Sequence, residues 1–168
     1  METPSKFTPV IISTAIISAI SLFPLLNLIN LFCCAGVMLG VFAGCAYYNN
    51  KLKQSGEIIQ YKDGTAIGLL SGLVSALIIV IVTALLSMIT NQNPIPDFYK
   101  MIDNYGLTIP KELEDFLQKI SEEYRKNGFS ITLTLISLVT NIIIYPLFGV
   151  LGGLLSVSIL GRRKNAEQ

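Results

Sequence analysis

Residues 64–90 read GTAIGLLSGLVSALIIVIVTALLSMIT, 27 residues without a charge. A helix rises about 1.5 Å per residue, so roughly 20 apolar residues cross a hydrocarbon core of about 30 Å. The stretch is predicted to be a membrane-spanning helix, and it sets the reading of the rest of the chain. Two more blocks carry no charge, 7–50 and 127–161. The first is long enough for two spans and the second for one. The expected spans are therefore about 7–26, 30–49, 64–90 and 130–160.

Composition agrees with that placement. The 168 residues are 52% hydrophobic and 14% charged, with a mean hydropathy of +0.62. Soluble domains carry about 25% charge, so a disordered chain, a basic nucleic-acid binder and most soluble enzymes are excluded, and no nucleic-acid partner is expected. Pro9 suits a first helical turn, where its missing N–H is harmless, and Pro24 helps end the first span. Asn27 and Asn30 supply turn chemistry, making spans 1 and 2 a tight hairpin. Tyr47 and Tyr48 mark a membrane interface. Asp63 is placed to cap the third span at its positive end. Pro146 removes an internal hydrogen bond and is expected to kink the fourth.

The segment 91–129 differs in character. It holds 12 of the 23 charges, all between Asp97 and Lys126. Phe98, Met101, Ile102 and Tyr105 repeat at helical spacing, and Gly106 is a natural stop. A second helix is expected from near Pro110 to before Gly128, with Leu113, Phe116, Leu117, Ile120 and Tyr124 on one face. Asp115–Lys119 and Glu122–Lys126 are i,i+4 pairs in the favourable order. Glu112, Glu114, Asp115, Glu122 and Glu123 read as a solvated face. The segment is expected to form an amphipathic helix pair on the membrane surface or across the end of the bundle. The predicted fold is thus all-α, a single membrane domain over 1–168: a four-transmembrane-helix bundle of two hairpins, with an extracytoplasmic helix pair between spans 3 and 4.

Four spans put both termini on the same side as the 50–63 loop. That side has seven basic and four acidic residues, and the other side has five basic and seven acidic. The positive-inside rule then places both termini in the cytoplasm, with Arg162, Arg163 and Lys164 abutting the last span. The expected location is the cytoplasmic membrane. Phe42-Ala43-Gly44-Cys45 imitates a lipoprotein processing box, but the apolar stretch before it is too long for a signal peptide.

Glycine recurs at every fourth position: Gly36, Gly40 and Gly44 in span 2, Gly64, Gly68 and Gly72 in span 3, and Gly149 and Gly153 in span 4. Residues four apart share a helix face, and a face without side chains lets backbones approach closely, as in a glycine zipper. Sequence leaves two readings of these faces: intrachain packing of spans 2, 3 and 4, or an oligomer interface that builds a pore. Asn141, with Thr140 beside it, calls for an interhelical hydrogen bond or lines a conduction path hinged at Pro146. Cys33, Cys34 and Cys45 form no disulfide or zinc pattern and read as small packed thiols.

Histidine is absent, and no Asp, Glu, Lys or Arg falls within a predicted span. Proton relays, ion-coupled transport and intramembrane hydrolysis need such groups. No catalytic residue, metal site or cofactor is expected. The predicted role is non-enzymatic: a membrane scaffold, accessory subunit or assembly partner, with lipid and other membrane proteins or further copies as partners. The alternative is an oligomeric, uncoupled channel or small-solute pore.

Leu26-Asn27, Asn30, Cys33-Cys34, Gly36 and Gly40, followed by Lys62-Asp63-Gly64 and Gly68-Leu69-Leu70 with Gly72, resemble a group of small uncharacterised prokaryotic multi-pass membrane proteins. Those carry a Pro-Leu-Asn-x-x-Asn-x-x-Cys-Cys segment and a Lys-Asp-Gly-x-x-x-Gly-Leu-Leu-x-Gly segment. The match covers about residues 24–76. It implies a prokaryotic cytoplasmic membrane and a four-helix form, and it brings no activity with it.

Overall fold

The computed structural model describes residues 4–23, 30, 34–90, 93–106 and 108–162. Among these the chain is all-α, with six helices and no strand: α1 Phe7–Leu22, α2 Ala35–Gln54, α3 Tyr61–Thr90, α4 Ile95–Asn104, α5 Lys111–Asn127 and α6 Ile131–Arg162. Two helices are long and apolar enough to cross a membrane, Tyr61–Thr90 and Ile131–Gly161. The apolar α1 is shorter, with 16 residues. Pro24, Asn27 and Cys33 lie outside the described residues.

Three boundaries depart from the sequence reading. α2 begins at Ala35 and runs through Lys51 and Lys53 to Gln54, about five residues beyond the predicted end. The extension has a packing reason. Val41, Cys45, Tyr48 and Leu52 continue one buried stripe, so Leu52 holds the added turn against the core. Lys51 and Lys53 favour the negative end of the helix. A Schellman motif closes it: Glu57 N donates to Leu52 O at 3.0 Å and Gly56 N to Lys53 O at 3.2 Å, with Gly56 at φ +76. α3 starts at Tyr61, a turn earlier than predicted. Asp63 is therefore the third helical residue rather than the cap, and its Oδ2 accepts the Gln60 N–H at 3.0 Å. α6 continues as helix through Pro146.

The chain divides into two compact units, Met1–Ile79 with Thr140–Gln168, and Val80–Val139. The core of the first gathers Ile17 from α1, Val37, Val41, Cys45, Tyr48 and Leu52 from α2, Ile67 from α3 and Val157 from α6. Small polar side chains share this interior, with Ser13, Ser71, Ser75 and Ser156 all fully buried. Ser71 donates to Ile67 O at 2.6 Å and Ser156 to Gly152 O at 2.5 Å, satisfying these hydroxyls on their own helices.

The second unit holds the amphipathic pair. Ile95, Leu117 and Ile120 form its core, with Tyr99, Tyr124 and Leu133 packed on it. The predicted stripe on α4 divides: Ile102 is buried, while Phe98, Met101 and Tyr105 are exposed. On α5, Leu113 and Phe116 are likewise exposed. Gly106 and Gly128 follow α4 and α5 at φ +63 and +76, where the sequence placed the stops. Of the two expected i,i+4 pairs, Glu122–Lys126 forms at 3.9 Å. Asp115–Lys119 makes no ion pair among the described residues.

Candidate functional site

The glycine positions are where chain chemistry and close packing meet. On α2, Gly36, Gly40 and Gly44 all lie against α1 and its connection. A Cβ added at Gly36 would stand 2.6 Å from Ile20 Cγ2 and 2.5 Å from Asn30 Oδ1. At Gly40 it would stand 2.5 Å from Ile17 Cγ1, and at Gly44 2.6 Å from the Pro9 carbonyl oxygen and against Ser13 Oγ. As α2 advances, its contacts retreat along α1, so the two helices are antiparallel. The sequence grouped spans 2, 3 and 4 through their glycines. The α2 triplet instead faces α1, whose small Ser13 and first-turn Pro9 allow the approach.

On α3 the glycines meet backbone. A Cβ at Gly68 would collide with the Gly149 carbonyl oxygen, and one at Gly149 with that of Gly68. Gly64 and Gly153 oppose each other in the same reciprocal way, with the added atom at Gly64 standing 2.6 Å from Gly153 O. Gly72 faces the Tyr145 carbonyl oxygen at 2.6 Å and Pro146 Cα at 2.7 Å. The order 64, 68, 72 against 153, 149, 145 makes α3 and α6 antiparallel here. Pro146 is buried in this contact, so its ring fills the place opposite a glycine.

Further contacts link the pairs. Gly152 of α6 meets Met38 of α2, where an added Cβ would be 2.8 Å from Met38 Cα. Cys45 is fully buried, while Cys34 is partly buried. Tyr145 OH donates to Ser21 Oγ at 3.0 Å, and Tyr61 OH and Ser158 Oγ share a 3.3 Å hydrogen bond. Lys6 and Asp63 form an ion pair at 2.7 Å. It borders a cavity of about 140 Å³ that Tyr48, Glu57 and Lys62 also line.

Asn141 is half-buried and Thr140 exposed. The interhelical hydrogen bond expected of Asn141 is not made to any described residue. Among the described residues, no group of three or more His, Cys, Asp or Glu is placed to hold a metal ion.

Glu123 departs from the solvated face assigned to it. Its Oε2 accepts Ser130 Oγ at 2.6 Å and Thr132 N at 2.9 Å, and its Oε1 accepts Thr132 Oγ1 at 2.6 Å. Ser130 Oγ in turn accepts the Leu133 N–H at 3.1 Å. Ser130 is thus the N-cap of α6 and Glu123 completes the cap from α5. The Ser130 and Thr132 hydroxyls and the Thr132 N–H favour the ionised carboxylate, pulling its pKa from 4.5 to about 2. A serine ahead of an apolar run was the available signal for Ser130. Glu123 lies seven residues upstream on another helix, where sequence carries no sign of the contact.

No family model matches the chain, and no curated protein or solved structure matches it either.

Proposed function

We propose that the chain is a four-span integral protein of a prokaryotic cytoplasmic membrane, with both termini in the cytoplasm. In this reading it is non-enzymatic, a scaffold, accessory subunit or assembly partner for other membrane proteins. α1 and α2 are the first hairpin and α3 and α6 the second, together a four-helix bundle, with α4 and α5 outside the cytoplasm. One observation carries the reading: two antiparallel helix pairs meet through glycine faces, and one of them does so backbone to backbone. Lipid is as apolar as a leucine side chain, so packing of this closeness is what holds helices together in a bilayer. These faces are filled from within the chain, which favours a self-contained bundle over a pore built by glycine-mediated oligomerisation. The apolar side chains exposed on α3 and α6, among them Leu69, Leu77, Ile81, Ile143 and Leu147, then face lipid or partner helices.

Native mass spectrometry of the chain released gently from membranes tests the role. A defined complex with other membrane proteins is the expected result, and a solitary monomer would sink it. Orientation is tested separately with Tyr105→Cys, since Tyr105 is 75% exposed on α4's end. A membrane-impermeant maleimide should label it in intact cells. Labelling only after the membrane is opened would reverse the topology.

A further inference from the structure

A second cavity, of about 190 Å³, lies within the Val80–Val139 unit and takes no part in the glycine packing. Five hydroxyl-bearing residues from three helices line it: Thr83 and Ser87 of α3, Tyr124 of α5, and Thr134 and Ser137 of α6. The spacings i,i+4 and i,i+3 set each pair on one face of its helix. Among the described residues, no charged side chain lines the cavity. Thr83 donates to Val80 O at 3.1 Å and Thr134 to Ser130 O at 2.7 Å, which leaves the Thr134 oxygen to accept. Among the described residues, Ser87, Ser137 and Tyr124 make no side-chain hydrogen bond, which leaves three donors to offer.

This lining selects its occupant. An ionic group would enter a weakly polarisable site with no counter-charge, at a cost the hydroxyls do not offset. An apolar group would strand the donors. An uncharged group that both donates and accepts satisfies them. The volume is several times the roughly 30 Å³ share of one water, enough for a fragment of a few heavy atoms. Depth narrows the choice further. Thr83 and Ser87 sit about two turns or less from the end of α3, and Thr134 and Ser137 in the first two turns of α6. Helices of 30 and 32 residues exceed the roughly 20 needed for the hydrocarbon core, so such end turns stand at the headgroup boundary. We infer that this cavity binds an uncharged glycerol diol, presented by a monoacylglycerol or as free glycerol.

The lipid source rests on the bilayer placement proposed above, and resistance of the chain to carbonate extraction tests that placement independently. The binding test uses the full chain in phosphatidylcholine nanodiscs with a photoreactive monoacylglycerol, and adducts are mapped by peptide mass spectrometry. Adducts should concentrate on residues 80–87 and 133–137. The double variant Ser87→Ala/Ser137→Ala should lower them about tenfold or more, the loss of two net hydrogen bonds. Tyr124→Phe removes one hydroxyl without changing shape and should lower them several-fold. Excess monooleoylglycerol should compete, whereas methyl oleate, which lacks the diol, should not. Competition by glycerol as well identifies the free solute as an occupant, and its failure identifies the lipid. Adducts spread evenly over the exposed apolar faces, or labelling unchanged in the folded variants, would overturn the assignment.

Discussion

On α2, Gly36, Gly40 and Gly44 rest largely on side chains of α1 and on Asn30, and on α3, Gly64, Gly68 and Gly72 rest largely on the main chain of α6. Both faces have the same spacing and read alike in sequence. They differ in what can yield. Ile17 can be made smaller by mutation, and its rotamer can adjust. The carbonyls of Gly149 and Gly153 belong to helix backbones already bonded along their length, and nothing smaller than glycine exists to replace their partners. The α3–α6 contact is therefore the more demanding of the two, and glycine is required there by both helices at once.

Substitution of Gly68 should have the largest effect. Gly68→Ala places a methyl group on the Gly149 carbonyl, so the helices must separate, at a cost of about 1–3 kcal/mol. Unfolding in mixed micelles, followed by circular dichroism, reads it. Stability equal to the parent would break the comparison, because it would mean that this backbone contact is looser than the geometry. Gly40→Ala should cost about 1 kcal/mol, at the lower end of the same range. Made in an Ile17→Ala background, which removes the Cγ1 that the new methyl group would meet, the same substitution should cost less. An equal cost in both backgrounds would show that the α1–α2 face is as unyielding as the other.

The α6 cap on Glu123 offers a pH-dependent contrast to these uncharged faces. The folded-state pKa of about 2 lies below the ordinary 4.5, so the cap's contribution is fully present above about pH 4.5. It is lost as pH falls toward and through about 2. Between about pH 5.5 and about pH 2, the parent should lose more stability than Glu123→Gln, which does not titrate. Parallel pH profiles would remove Glu123 from the cap. The smallest effect is expected at Gly161, where an added Cβ would meet nothing within 4 Å. Gly161→Ala should stay within about 0.5 kcal/mol of the parent, separating the cost of a filled interface from any general effect of losing glycine.

Much of the helical plan was legible before any coordinates. The charge-free run at 64–90 and the apolar run before Arg162 are local facts, and a helix follows from them because no polar group interrupts its hydrogen bonding. Gly56, Gly106 and Gly128 lie where the chain turns through positive φ, and the latter two marked their stops in advance. The end of α2 was misread because Lys51 and Lys53 look like loop residues. Leu52, buried against the core, outweighed them, and burial is a tertiary quantity. The candidate site was legible as a set of faces and not as a set of partners. A glycine presents no side chain whose size or charge could name its neighbour, so although the short connection pairs spans 1 and 2 as a hairpin, spacing could not tell that the α2 glycines face α1.

By itself, then, the sequence determined where apolar helices form, which faces lack side chains, and that no Asp, Glu, Lys, Arg or His enters the predicted spans. These properties depend on residues within a few turns of one another. Only the tertiary structure decided that Gly68 opposes Gly149, that Gly44 opposes Pro9 and Ser13, and that Glu123 caps a helix other than its own. It also brought five hydroxyl-bearing residues from three helices around one cavity. Each of these joins residues distant along the chain, and such contacts are selected by the packing of whole helices, which no local pattern encodes.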